Sequence, residues 1–164
     1  MNIKISGELN SILEVLKLMA QSEQMLGELY RACGIKWSED RDFWTEISSQ
    51  EDKHALYIKK IGEIISKRPE NFEKGRPFNV FAIKTIIKGM QDKLLKIKEG
   101  SIPRKNAFFT ARDFEQSILE DRYGEIVKSD DIEYIALTQE ILSDTLTHKN
   151  RLDQKIKEIT EDKK

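Results

Sequence analysis

The sequence has only one cysteine, Cys33, and three prolines among its 164 residues. A single cysteine excludes an internal disulfide, and it excludes any Cys-x-x-Cys pair for zinc, an iron–sulfur cluster or a rubredoxin-type iron. No apolar run approaches the roughly 18 residues that a membrane span needs. The N-terminal stretch also lacks the apolar core of a signal peptide, because Glu14 and Lys17 interrupt it. We therefore expect a soluble protein of the reducing cytoplasm.

Neither sign of charge is in excess. The chain carries 28 basic and 29 acidic residues, for a net charge of −1, and its basic tracts are no longer than pairs such as Lys59-Lys60. A nucleic acid or an anionic membrane surface is therefore not expected as a partner. With 38% hydrophobic residues the chain is apolar enough to fold, and its length suits one domain over residues 1–164.

The pattern of apolar residues is helical almost throughout. The prolines all lie between residues 69 and 103, apolar residues elsewhere recur at spacings of three and four, and no convincing strand alternation is present. The sequence predicts four long helices, from about Gly7 to Cys33 with Gly34 as the stop, from Ser38 to about Ser66, from about Ser101 to Lys128, and from a cap at residues 129–131 to about Glu161.

The first two helices are predicted to form one hairpin and the last two another, and a long connection joins the two hairpins. It contains a polar segment with two prolines and then a helical pattern over residues 79–100, ending on Gly100. We therefore predict an all-α protein, a four-helix bundle with one long crossover connection carrying an additional helix.

Each long helix has an apolar stripe that is interrupted at one level by acidic or histidine residues. The first helix places Glu23 there and the second places Glu51 and His54, three residues apart. The third helix contributes Glu115, and the fourth contributes His148, the only other histidine. A buried, unpaired carboxylate costs several kcal/mol and a buried imidazole needs partners for its nitrogens, so three carboxylates and two imidazoles in one core indicate a shared partner. Carboxylate and imidazole ligands suit iron, manganese and some zinc sites.

This pattern resembles the ferritin-like di-iron carboxylate proteins, most closely the rubrerythrin family, over nearly the whole chain. Residues 22–30, SEQMLGELY, are similar to that family's first-helix signature of a glutamate followed by a tyrosine about two turns later. Residues 114–123, FEQSILEDRY, repeat the beginning of that segment, as duplicated halves would. The resemblance implies a ferritin-like fold without a rubredoxin domain.

The resemblance also implies roles for the five residues. Glu23 and Glu115 would be outer carboxylate ligands, Glu51 a bridge between two metal ions, and His54 and His148 end-on imidazole ligands. The expected cofactor is a pair of iron ions, with manganese or zinc as alternatives. The expected chemistry is reduction of hydrogen peroxide or dioxygen, or oxidation of ferrous iron, with an external electron donor.

One position departs from the family's pattern. A second Glu-x-x-His is expected on the fourth helix, but the sequence reads Thr145-Leu146-Thr147-His148, so a threonine replaces the second bridging glutamate. Asp144 stands one residue earlier and is the possible substitute, although its side chain is shorter and its position is rotated around the helix. Without this glutamate, the second metal position lacks one of the ligands that the resemblance implies.

Three functional alternatives therefore remain. The first is a rubrerythrin-like di-metal oxidoreductase, and the second is a protein that binds a single metal ion, as Thr145 suggests. The third is a degenerate ferritin-like fold with a role in interaction or assembly, in which Arg122 would pair with Glu51, His54 and Glu115 in a metal-free network. Tyr30 and Tyr123 are predicted to be core residues rather than redox participants.

A homodimer is the expected assembly. Ferritin-like bundles often dimerise, and the crossover helix carries more apolar residues than one buried face needs. These residues are Val80, Phe81, Ile83, Ile86 and Ile87.

Overall fold

The structure is a computed structural model that describes residues 6–121 and 123–161, with the side chains of residues 120, 121 and 123 outside the description. Within these ranges the chain forms five α-helices and one short two-stranded sheet, so the predicted all-α class is confirmed. The elements are α1 (Gly7–Lys36), α2 (Arg41–Lys67), β1 (Glu73–Lys74), α3 (Val80–Glu99), α4 (Arg104–Asp121), β2 (Val127–Lys128) and α5 (Ile132–Glu161).

Helix α1 begins where the sequence predicts but ends later. Ser6 caps it, and the hydroxyl oxygen accepts a hydrogen bond from the Leu9 N–H at 3.2 Å. The helix then continues through Gly34 to Lys36, so the prediction of Gly34 as the stop is wrong. A Cβ at Gly34 would lie 3.2 Å from the Cβ of Trp44, so the glycine instead lets α1 and α2 approach closely.

The segment between α4 and α5 also differs from the prediction. Helix α4 ends at Asp121 rather than near Lys128, and residues Val127–Lys128 form β2, which pairs antiparallel with β1. Gly75 extends this pairing, since its N–H donates to the Ile126 carbonyl at 2.8 Å and a Cβ on it would overlap the Glu125 carbonyl. Two-residue strands are too short to show alternation, so the pattern of apolar residues cannot indicate them.

The helices pack so that buried polar residues lie between two apolar clusters. Helix α1 packs against α2 and α3, α4 packs against α5, and α2 also contacts α5. One cluster lies toward the sheet and includes Met19, Ile58 and Ile141. The other includes Leu26 and Trp44 together with residues of α3, α4 and α5. Along each of α1, α2 and α5, the buried acidic or histidine residues predicted from the sequence lie between the residues of one cluster and those of the other.

The crossover helix α3 buries one side against the rest of the molecule. Ile83 and Ile87 are buried and Ile86 is partly buried, whereas Phe81 is 77% exposed and Val80 is 39% exposed. Packing within the chain therefore covers most of the apolar surface on which the homodimer was predicted, and the homodimer stays a prediction. None of the helices in the described ranges is long and apolar enough to cross a membrane.

Candidate metal centre

The five predicted ligands meet in one buried region. Helix α1 contributes Glu23, α2 contributes Glu51 and His54, α4 contributes Glu115, and α5 contributes His148. All five side chains are 0% exposed. Glu51 and His54 share one side of α2 because residues three apart lie on the same face of a helix. The helical spacing that predicted these residues therefore also accounts for their convergence.

Glu51 lies at the centre of the arrangement. Within the described residues, two groups of three place ligand atoms within 4.8 Å of one another: Glu23, Glu51 and His54 form one, and Glu51, Glu115 and His148 the other. The two oxygens of Glu51 face different histidines, since Oε2 lies 3.2 Å from Nδ1 of His54 and Oε1 lies 2.7 Å from Nδ1 of His148. A carboxylate in this position can offer one oxygen to each of two metal ions.

Both histidines point Nδ1 into the cluster and Nε2 away from it. Nε2 of His54 lies 3.2 Å from Oδ2 of Asp144, and Nε2 of His148 hydrogen-bonds Oε1 of Gln50. The two rings stack with their centroids 5.7 Å apart. With an oxygen accepting the Nε2 proton, each neutral ring keeps the lone pair on Nδ1, which is the nitrogen that faces the glutamates.

Several polar atoms of the cluster are buried without a hydrogen-bond partner. Among the described residues these include both oxygens of Glu23, Oε1 of Glu51, Oε2 of Glu115 and Nδ1 of His148. Nδ1 of His148 is only 2.7 Å from Oε1 of Glu51, but the two atoms are not aligned for a hydrogen bond. Unsatisfied buried carboxylate and imidazole atoms are costly in free energy. A cation would satisfy all of them, so this set of residues fits a metal ion.

The pKa values of these residues are shifted because several ionisable groups are buried close together. Burial, reinforced by the negative charge of Glu51, raises the pKa of Glu23 well above its ordinary value and raises the pKa of Glu115 to about 7. Burial acts in the same direction on Glu51, but the close contacts with the rings of His148 and His54 outweigh it and lower the pKa of that carboxyl. The pKa of His148 rises to about 10, since Glu115 and Glu51 outweigh the effect of burial. Metal ions would have to displace the protons held here.

Tyr30 supports the Glu115 side of the cluster. Its hydroxyl donates a hydrogen bond of 2.5 Å to Oε1 of Glu115, and its ring packs near Trp44 with the centroids 5.5 Å apart. Burial and the charge of Glu115 both raise the pKa of the Tyr30 hydroxyl well above its ordinary value. Tyr30 is therefore a fully buried core residue with a satisfied hydroxyl, as predicted. The predicted role of Tyr123 concerns a side chain outside the described residues.

Thr145 and Asp144, where the sequence departs from the rubrerythrin pattern, both make polar contacts outside the two ligand groups. Thr145 is buried, but its hydroxyl donates to the Ile141 carbonyl at 2.8 Å, one turn back along α5. Asp144 belongs to neither ligand group, because its carboxylate contacts the outer nitrogen of His54 and Nζ of Lys53, the latter at 2.9 Å. Neighbouring residues on a helix are rotated by roughly 100°, which turns Asp144 toward that outer edge.

Gln50 is the residue of the site that the sequence reasoning missed. It stands four residues before His54, as Asp144 stands four before His148, and each of the two contacts the histidine of the other helix. A comparison of the residues preceding the two histidines would have revealed this matched placement. Arg122, the partner proposed for a metal-free network, lies outside the described residues.

Comparison with models of known protein families, with curated proteins and with solved structures gives no match to this chain. The functional interpretation therefore rests on the residues themselves. What they offer is a buried group of three carboxylates and two imidazoles, with one carboxylate common to two possible metal positions.

Proposed function

We propose that the protein is a ferritin-like, rubrerythrin-like di-metal protein that binds two iron ions and acts on hydrogen peroxide or dioxygen, or oxidises ferrous iron. One observation carries the proposal, which is that Glu51 belongs to both groups of converging ligand atoms. Its two oxygens face two different histidines, as a carboxylate bridging two metal ions would. The arrangement of α1, α2, α4 and α5 around this residue is compatible with a four-helix bundle whose crossover contains α3.

The number and the types of the ligands favour two ions. Each position would receive two carboxylates and one imidazole, with Glu51 counted in both. Oxygen and nitrogen ligands without a thiolate suit iron and manganese. Three protein ligands per ion also leave coordination positions for water or a substrate.

A pair of iron ions would supply two electrons at once to peroxide or dioxygen. The chain's own contribution would be to hold the ligands and to exclude bulk water. Asp144 and Gln50 fix the two imidazole rings, Tyr30 fixes Glu115, and the apolar clusters on either side keep the centre dry. Because the 164 residues contain one cysteine, electrons would come from an external donor rather than from a rubredoxin domain in these residues.

Binding of a single ion is the second candidate, and Thr145 is the observation that favours it. A glutamate at this position would complete the shell of the second ion, whereas the Thr145 hydroxyl is turned toward the Ile141 carbonyl. On this alternative the protein is a degenerate ferritin-like protein with one metal and a role in interaction or structure. The two candidates differ in metal stoichiometry.

Metal content per chain tests the proposal. Protein purified without chelator, and the same protein after anaerobic loading with ferrous iron, would be measured by elemental analysis. Two irons per chain are expected for the wild type, and Glu51→Ala is expected to lose both because the shared ligand is gone. Glu46→Ala, on the exposed face of the same helix, is the matched control. One iron per chain would favour the single-ion alternative, and no iron after loading would refute both.

A further inference from the structure

We infer that Asp144 and Gln50 are positioning residues that make the two metal positions unequal, so that the first ion binds at the Glu23–Glu51–His54 position and the second at the Glu51–Glu115–His148 position. This inference rests on the proposed function. It goes further by assigning an order to the two ions and by naming residues that set the order without touching either ion.

The two positioning residues occupy matched places but differ in charge. Each stands four residues before a histidine on its own helix and contacts the histidine of the facing helix. On the His54 side the contact is a carboxylate oxygen of Asp144, and on the His148 side it is an amide oxygen of Gln50. Each oxygen fixes its ring with Nδ1 inward, but the negatively charged carboxylate makes His54 the stronger electron donor of the two imidazoles.

Lys53 limits the effect of Asp144 without removing it. Its ammonium lies 2.9 Å from the same Oδ2 that contacts His54, and it is shared with Glu140 at 3.1 Å. The lysine side chain is 36% exposed, whereas the His54 side chain is fully buried. Because water screens the Lys53 contact more strongly than the contact with the buried ring, Asp144 still acts on His54 as a negative charge.

The outer glutamates differ in the same direction. Oε1 of Glu115 accepts the hydrogen bond from Tyr30, and this oxygen is also the one that lies 3.6 Å from Nδ1 of His148. A hydrogen bond donated to a carboxylate oxygen draws electron density that a metal ion would otherwise use. Within the described ranges neither oxygen of Glu23 has a hydrogen-bond partner, so Glu23 is the less engaged of the two outer carboxylates. The His54 position therefore combines the stronger imidazole with the less engaged carboxylate.

Anaerobic titration with cobalt(II) alone tests the inference, because cobalt binds such ligands, reports its coordination by visible absorption and does not need turnover. Calorimetry on the same samples would give the affinity of each step. Two steps of unequal affinity are expected for the wild type. Asp144→Asn keeps the size and the acceptor oxygen but removes the charge, and it should weaken the first step about 10- to 100-fold while leaving the second step unchanged.

The reciprocal variant is Gln50→Glu, which gives His148 a carboxylate partner. It should strengthen the second step and narrow the gap between the steps, an effect that a purely structural role of Gln50 would not produce. Asp153→Asn is the control for Asp144→Asn, because Asp153 is another half-buried aspartate of α5 paired with a lysine, Lys149 at 2.9 Å. Circular dichroism of each metal-free variant would confirm the fold.

Each outcome separates the inference from the proposed function. Two equal steps in the wild type, or a first step unaffected by Asp144→Asn, would overturn the inference and leave the two-ion proposal standing. A wild type that binds no cobalt and no iron would overturn both. If Asp144→Asn fails to fold, Gln50→Glu decides, since an unchanged second step would overturn the inference and a strengthened one would support it.

Discussion

The two halves of the buried site contain the same residue types but hold them differently. One half has Glu23, whose oxygens accept no hydrogen bond from any described residue, and His54, whose outer nitrogen faces the carboxylate of Asp144. The other half has Glu115, bound by the Tyr30 hydroxyl, and His148, whose outer nitrogen faces an amide. Residues that look equivalent in the sequence are therefore made inequivalent by neighbours one layer further out. If these residues bind metal ions as proposed, the neighbours of each ligand would set its donor strength as well as its residue type does.

Removing one histidine at a time should have the largest effect on this comparison. His54→Ala and His148→Ala should each reduce the stoichiometry from two ions to one, because each deletes the sole imidazole of one position. They should differ in what remains, since His148→Ala would keep the tighter position and His54→Ala the weaker one. Cobalt titration monitored by visible absorption measures both the number of ions and their affinity.

Equal affinities in the two variants would show that the halves are equivalent. A complete loss of binding in both would mean that the two imidazoles serve a single ion. Thr147→Ala, at an exposed position next to His148, is the control for changes to this part of α5.

Completing the second position should have an intermediate effect. Thr145→Glu would add a carboxylate beside His148, and we expect the second ion to bind about tenfold more tightly because that ion gains a charged ligand. The metal-free variant should be less stable by about 1–3 kcal/mol, because another buried carboxyl joins a crowded cluster. Stepwise titration and urea unfolding in the presence of chelator measure the two effects.

Thr147→Glu, at the exposed neighbouring position, adds the same side chain outside the site and serves as the control for Thr145→Glu. A second step that stays unchanged in Thr145→Glu would show that α5 does not present residue 145 to an ion. If Thr145→Glu raised the metal affinity of the first step instead, the assigned order of the two positions would be reversed.

The five ligands were accessible from the sequence because helical periodicity alone determines which residues share a buried face. Glu51 and His54 follow the apolar spacing of α2, and His148 follows that of α5. The environment of the ligands was not accessible in the same way. That Asp144 reaches His54 rather than the centre depends on how α5 is rotated against α2, which is a property of tertiary packing.

The errors in the fold have a similar cause. The sequence predicts a helix end at Gly34 because glycine favours such ends, but the close approach of Trp44 gives this glycine a different role. The sequence predicts that α4 runs on to about Lys128, directly before the cap of α5 at residues 129–131. Instead, Val127–Lys128 pairs with Glu73–Lys74, a contact between segments far apart in the chain. Local patterns cannot report such long-range pairing.

The smallest expected effect comes from Tyr30→Phe, which removes only the hydrogen bond to Glu115. The metal-free protein should lose about 1–3 kcal/mol of unfolding free energy, because the buried oxygen would have no donor. With cobalt, the second step should tighten a few-fold while the first stays unchanged, since only Glu115 gains donor capacity. Tyr57→Phe, which removes a hydroxyl bonded to Glu140 near the surface, is the control. A change confined to the first step would show that Tyr30 acts on the His54 half, and the contrast between the halves would then lose one of its supports.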